Sequence, residues 1–260
     1  MCFLFNQWPA WMAFMAFMAF FSVSVQAMAD EPDVTPSVIS KSEFAKKPEW
    51  SGTVGLGLSS STGTSQALNL NTDDAFLWHR GLWSNQSRLL YNYATSQGEV
   101  SADRLDVSNQ TRYDIALQQY LFANLNYHRN HFDGYYFRAD ETLGYGHFFV
   151  LNQVSHLRLE AGAGVRQSHP IGGVYSTHPI ARLYGKYLWK FSPHAHLSEA
   201  VDAILADNGA NTYNSIFTVV SPLYGPLNLR LAFIATYNAK VQAGFRPMNT
   251  LTTINLAYNF

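Results

Sequence analysis

From Trp50 to Phe260, apolar side chains recur at every second position in one segment after another, with short runs of Gly, Pro, Asn and Ser between them. Alternation with period two puts one set of side chains on each face of an extended strand. In the closing stretch Thr252, Ile254, Leu256, Tyr258 and Phe260 share one face, and Thr253, Asn255, Ala257 and Asn259 share the other. The first segment sets Trp50, Gly52, Val54, Leu56 and Leu58 against Ser51, Thr53, Gly55, Gly57 and Ser59. The clearest segment sets Leu105, Val107, Tyr113, Ile115 and Leu117 against Arg104, Asp106, Ser108, Gln110, Arg112 and Asp114. A face with that many ionised groups needs water or counter-charges, while its opposite needs hydrocarbon.

Counting on from the first strand gives twelve segments. The second runs from Leu68 to Trp78, where Asp74 breaks the apolar face and suggests a bulge or shifted register. The rest are about Trp83 to Thr95, the Leu105 segment, Tyr120 to His131, Tyr135 to Phe149, His156 to Arg166, Pro179 to Phe191, Ala195 to Leu205, Tyr213 to Pro222, Leu227 to Asn238, and the terminal strand. The ninth and tenth are ambiguous, because Glu199 interrupts one and Ile216, Phe217, Val219 and Val220 occupy both faces of the other. An even strand number suits a single-chain membrane barrel with both ends on one side. Short connections at Arg80-Gly81, Leu117-Gln118, Leu151-Asn152, Ser192-Pro193 and Tyr224-Gly225-Pro226 are expected on the periplasmic side. Longer ones at Gln97 to Asp103, Ser168 to Thr177, Ala206 to Asn211 and Ala239 to Met248 are expected outside.

Composition agrees with this picture. Aromatic residues make up 15% of the 260 and charged residues only 13%, against roughly a quarter charged in soluble domains. Residues 1–29 carry no charged side chain and end on the small-x-small triplet Ala27-Met28-Ala29, so they read as a cleaved signal peptide. Residues 30–48, with three prolines, read as a periplasmic lead-in, and 49–260 as the barrel. The single cysteine, Cys2, would leave with the signal peptide, which excludes disulfides and thiolate chemistry. A net charge of −1 gives no basic excess for nucleic acid.

The chain therefore reads as all-β: a transmembrane antiparallel β-barrel of about twelve strands with a polar lumen. The expected lumen lining is Arg88, Arg104, Asp106, Arg112, Asp114, Arg138, Asp140, Arg158, Glu160, Arg166, Arg182, Lys186 and Arg230, with Asp73 and Asp202 on the same faces. Ion pairs among them could hold a narrow barrel shut and rigid, or line a small-solute pore that leans towards anions. Gly144, Gly146, Gly162 and Gly164 face inward at alternate positions, which fits sharp sheet curvature better than empty room. Trp50, Trp78, Trp83, Phe148, Phe149, Trp189, Phe191, Tyr224 and Phe260 form the expected periplasmic girdle, and Tyr93, Phe132, Tyr135, Phe137 and Tyr237 the outer one. His128, His131 and Asp133 are a weak metal motif, and no metal or cofactor is expected. A lipid hydrolase would need a lipid-facing Ser and His pair. His147 has the right parity and no serine neighbour, so no catalytic residue is expected. The expected partners are outer-membrane lipid, the barrel-insertion machinery reading the strand that ends at Phe260, and small solutes. A small-ligand site at the outer mouth, between Phe132 and Phe137, is the alternative.

The run Trp50-Ser51-Gly52-Thr53-Val54-Gly55-Leu56-Gly57, followed by Ser59 to Ser65, resembles the start of the YdiY-like family of salt-induced outer-membrane proteins, a domain of unknown function. The stretches His131-Phe132-Asp133-Gly134-Tyr135, Leu143-Gly144-Tyr145-Gly146 and Glu160-Ala161-Gly162-Ala163-Gly164 carry the resemblance further. Gly63-Thr64-Ser65 stands where many relatives read Gly-Asn-Thr. The resemblance implies an outer-membrane barrel with a link to salt or osmotic conditions, and it brings no substrate or catalytic residue.

Overall fold

The computed structural model describes residues 49–61, 67–130, 132, 134–193, 195–241 and 244–259. These residues form a closed antiparallel barrel of twelve strands. In chain order they are β1 (Glu49–Ser61), β2 (Ala67–Arg80), β3 (Trp83–Ser96), β4 (Glu99–Ala116), β5 (Gln119–Asn130) and β6 (Tyr135–Asn152). Then come β7 (Ser155–Pro170), β8 (Ser176–Lys190), β9 (His196–Ala206), β10 (Thr212–Tyr224), β11 (Leu227–Asn238) and β12 (Met248–Asn259). Each strand pairs with its sequence neighbour, and β1 closes the ring on β12 through the register Thr53↔Asn259 to Leu56↔Leu256. Closure leaves no free sheet edge, the condition for crossing hydrocarbon with strands. The beginning of β1 and the end of β12 lie at one end, called here the near end, together with two-residue turns such as Leu117-Gln118 and Gly225-Pro226.

The polarity of the wall is inverted relative to a soluble core. On β11, Leu227, Leu229, Leu231 and Phe233 are each about 40% exposed, while Asn228 and Arg230 between them are each 8% exposed. The same alternation holds on β12, where Ile254, Leu256 and Tyr258 face out and Thr253, Asn255 and Ala257 face in. Leu121, Leu125, Leu143, Leu159 and Leu183 continue the exposed band across β5 to β8. A soluble monomer rarely exposes a contiguous apolar patch beyond about 300–600 Å², and among the described residues exposed large apolar side chains stand on every strand but β9. The protein is a transmembrane β-barrel, with its greasy face to lipid and its ionised face to the lumen.

Several expectations are corrected. The connection expected between Gln97 and Asp103 is the two-residue turn Gln97-Gly98, both at positive φ (55° and 82°), and β4 already begins at Glu99. Two consecutive left-handed residues match the twist of a hairpin, but Gln-Gly lacks the usual Asn or Asp signal. Asp74 makes no bulge: β2 pairs with β3 in unbroken register from Ala67↔Ser96 to Arg80↔Trp83, so its carboxylate stays on the outer face. Phe148 and Tyr135 leave the expected girdles. Both point inward and are buried, 6% and 8% exposed. The tenth segment resolves by pairing: Ile216, Thr218 and Val220 face in with Ala200, Ser198 and His196, and Phe217 and Val219 face out. The signal-peptide and lead-in regions, Gly63-Thr64-Ser65, His131, Asp133 and Phe260 lie outside the described residues.

Candidate functional site

The alternation that puts leucines in lipid puts every second residue of each strand into the lumen, where a cavity of about 290 Å³ forms. Ten of the thirteen lumen candidates line it: Arg88, Arg104, Asp106, Arg138, Asp140, Arg158, Arg166, Arg182, Lys186 and Arg230. Arg112, Asp114 and Glu160 also point inward but lie buried behind that lining, 2%, 5% and 4% exposed. Asp202 joins the lining as well. Eight cationic side chains (seven Arg and Lys186) therefore meet the cavity against the carboxylates of Asp106, Asp140 and Asp202.

Three networks gather most of the ionised groups, apart from the cluster of Arg104, Asp106 and His128. The lower one centres on Glu160, which accepts from Tyr120 Oη at 2.6 Å, Gln110 Nε2 at 2.9 Å and Arg182 Nη1 at 2.8 Å. Arg182 Nε also donates to Asp202 at 3.0 Å, and Arg158 Nη2 donates to Tyr184 Oη at 2.8 Å. Arg112 donates to Gln110 and Gln86, with its guanidinium 5.1 Å from the Tyr120 ring centre. In the second network Arg88 grips Asp73 with two bonds of 2.8 Å, and Arg230 approaches the same carboxylate at 3.3 Å. The third lies at the far end. Arg166 holds Asp140 with bonds of 2.6 and 2.8 Å, and also reaches Ala210 O at 2.8 Å and Thr212 Oγ1 at 3.0 Å. Beside it Arg138, on β6, donates to Thr212 Oγ1 at 3.1 Å and to Asn238 Oδ1 on β11 at 2.6 Å. Since β6 and β11 stand five strands apart around the ring, that side chain is a bar across the lumen.

Sequence reasoning missed the aromatic part of the interior. Tyr120, Phe122 and Phe148 form a buried cluster, with Tyr120 and Phe148 centroids 5.2 Å apart. The glycine column explains how they fit. A Cβ on Gly146 would collide with the Tyr120 ring, and one on Gly144 would strike the backbone oxygen of Ala161 on β7 first and then come within 2.6 Å of Phe122 Cζ. On β7 a Cβ at Gly162 or Gly164 would likewise strike backbone, the oxygens of Leu143 and Glu141 on β6. The column therefore allows close backbone approach between β6 and β7, and Gly144 and Gly146 also leave room for the rings, so both readings weighed for these glycines find a basis. Alternation from Leu121 and Leu125 would have flagged Tyr120 and Phe122 as inward.

The remaining candidates do not converge. His128 pairs with Asp106, which also takes Arg104 Nε at 2.6 Å. Near Phe132, the ring of Phe137 stacks outward on Tyr127 at 6.0 Å while Tyr135 lies inward under Arg138 at 4.6 Å, so these aromatics do not share one pocket. His147 packs its ring on Phe149 at 4.3 Å. Girdle contacts do form at both ends, Trp83 with Tyr113 at 4.9 Å and Tyr213 with Tyr237 at 6.2 Å.

A family model described as protein of unknown function, DUF481, matches residues 54–260. The chain belongs to that family. A relative in Escherichia coli K12, described as uncharacterized protein YdiY, is 25% identical over 243 residues, covering 91% of this chain and 92% of the relative. Among solved structures, the NanC porin aligns with a TM-score of 0.45 at 9% identity, covering 80% of this chain and 97% of that one. The translocator domain of the autotransporter NalP from Neisseria meningitidis aligns with a TM-score of 0.42 at 10% identity, covering 85% and 91%.

Proposed function

We propose that this DUF481 protein is a narrow, passive outer-membrane channel that favours small anions. The observation that carries the reading is the cavity of about 290 Å³ with eight cationic side chains in its lining against three carboxylates. A low-dielectric wall around such a lining focuses its potential and raises the local concentration of anions. Arg166 and Arg182 are already engaged by Asp140, Asp202 and Glu160, so an anion meets shared donors and leaves again. Entry is set by the Arg138 bar, whose bonds to Thr212 and Asn238 must yield or be bypassed. No step requires catalysis. The lipid-facing band and the near end, with β1 starting and β12 finishing there, suit an outer-membrane protein exported by a signal peptide and inserted through its closing strand. The salt link implied by the family resemblance belongs to the same reading, with protein level after a rise in external NaCl as its test.

The direct test is single-channel recording of refolded protein in planar bilayers under a KCl gradient. The expected zero-current potential has the sign of anion preference, and Arg138→Ala raises the conductance. If neither the wild type nor Arg138→Ala conducts at any voltage, the barrel is structural and the channel reading falls.

A further inference from the structure

The outer face is not uniformly greasy. On β3 and β4 the positions between the near-end ring of Trp83 and Tyr113 and the apolar pair Leu89 and Val107 hold Asn85 and Ser87 against Thr111 and Asn109. They have lipid-facing parity, since Ser84, Gln110 and Arg112 beside them are buried in the lumen, at 2%, 7% and 2% exposure. The four side chains are hydrogen-bonded to one another. Asn85 Nδ2 donates to Asn109 Oδ1 at 3.1 Å and Thr111 Oγ1 at 2.8 Å, and Asn109 Nδ2 donates to Asn85 Oδ1 at 3.1 Å and Ser87 Oγ at 2.7 Å. On β2 next door, Asp74 faces the same way and accepts from Gly55 N at 3.2 Å and Thr72 Oγ1 at 2.7 Å. The polar surface therefore spans three adjacent strands.

Strand register sets this surface on the apolar side of the Trp83–Tyr113 ring. At about 3.3 Å per residue and a tilt near 40°, Asn85 and Thr111 start one step above the aromatic ring, and Asp74, paired with Leu89, lies further into the apolar band. Acyl chains offer no hydrogen bonds there, and polar groups inside a membrane ordinarily face protein. Elsewhere on the outer wall β7, β8 and β11 present mainly Leu, Ala, Val, Pro and aromatic side chains, while isolated carboxylates stand at Glu141 on β6 and at Glu199 on β9, where Ser215 Oγ donates to it.

We propose that the outer faces of β2, β3 and β4 are the contact between two copies of this chain in the membrane. The complementarity is internal to the surface. Asp74 offers only acceptor oxygens, while Thr111, having accepted from Asn85, keeps its O–H to donate. A two-fold axis along the membrane normal through β3 sets β2 of one copy against β4 of the other, so each carboxylate meets the other copy's hydroxyl and amide edge. The surface carries one charge and otherwise neutral amides and hydroxyls, which suits a copy of itself better than a strongly charged partner.

The native chain has one cysteine, Cys2, ahead of the barrel, so single-cysteine reporters are clean on a Cys2→Ser background. In proteoliposomes under mild oxidation, Ser87→Cys should give a disulfide-linked dimer. Leu229→Cys, on the outer face of β11 four strands away, should not. The double variant Asn85→Leu with Asn109→Leu should shift the nanodisc mass from two chains to one while keeping the heat-modifiable gel shift of a folded barrel. A single-chain mass for the wild type, equal cross-linking from both reporters, or cross-links only to a different protein in native membranes would each overturn the proposal. None of these readouts depends on conductance.

Discussion

Two walls of the same lumen are built differently. The inward faces of β4 to β8 carry Arg112, Tyr120, Phe122, Arg138, Phe148, Arg158, Glu160, Arg166 and Arg182, all but Arg138 and Arg166 belonging to one interlocked set of rings and ion pairs. The inward faces of β10 to β12 and β1 carry Thr218, Ala232, Ile234, Thr236, Thr253, Asn255, Ala257, Gly55 and Gly57. Among the described residues of β10 to β12, Arg230 is the one ionised side chain with inward parity. Both walls come from the same hairpin repeat, so strand geometry does not account for the difference. One wall supplies charge and rigidity, and the other supplies the room in which that charge is felt. Any ion selectivity of the lumen should therefore be concentrated on β4 to β8, and mutations on the two walls should differ in kind.

The strongest way to break this contrast is Glu160→Ala. Glu160 is 4% exposed and takes bonds from Tyr120, Gln110 and Arg182. Its loss leaves Arg158 and Arg182 short of a counter-charge, and removing one partner of a buried pair costs about 3–5 kcal/mol. Urea unfolding of the refolded barrel in lipid should show that loss; a change below about 1 kcal/mol would mean that water compensates and the wall is not an interlocked unit. Next in size is Gly146→Val, where the added side chain meets the Tyr120 ring. Overpacking of this kind costs about 1–3 kcal/mol, and fluorescence of the refolded protein under the same titration should report a lower midpoint.

How much of this was legible in the sequence follows from which interactions are local. Period two is local, so the twelve strands, the inverted polarity and the inward parity of residues such as Arg88 and Arg230 could be read from Leu89, Leu229 and Leu231 beside them. Turn geometry was less legible, because Gln97-Gly98 folds as a tight hairpin without the usual residue signal. Asymmetry between the walls was not legible at all. That Tyr120 fits where Gly146 gives way, or that Arg138 spans to Asn238, depends on residues 26 and 100 positions apart meeting across a curved sheet. The outer polar surface was present in the sequence as Asn109 and Thr111 within the Leu105 strand. It becomes visible only when β3 sets Asn85 and Ser87 beside them.

A smaller effect is expected where the sparse wall touches the ionised system. In Arg230→Gln, Asp73 keeps both 2.8 Å bonds from Arg88 and loses only the 3.3 Å approach of the second guanidinium. A loss of about 1 kcal/mol is expected, near that of one net hydrogen bond, together with a modest fall in anion preference if the lumen conducts. Arg182→Gln should lower that preference further, because Arg182 faces the cavity between Asp202 and Glu160 and also stacks 4.8 Å from Tyr184. Equal shifts in zero-current potential for the two variants would erase the proposed division between walls.

The smallest effect should come from Thr218→Val, and it sharpens the contrast because almost nothing should happen. Thr218 lies on β10 opposite Ser198, in the cavity lining and 2% exposed, and the swap keeps the β-branched shape that suits a strand. With no ion pair to break and no ring to displace, stability should stay within about 0.5 kcal/mol of wild type, with no change in ion preference. A shift in selectivity as large as that of Arg182→Gln would place the deciding electrostatics on the wall with almost no charge. In that case the passage must run against β10, and the arginines of β4 to β8 would serve mainly to brace the barrel.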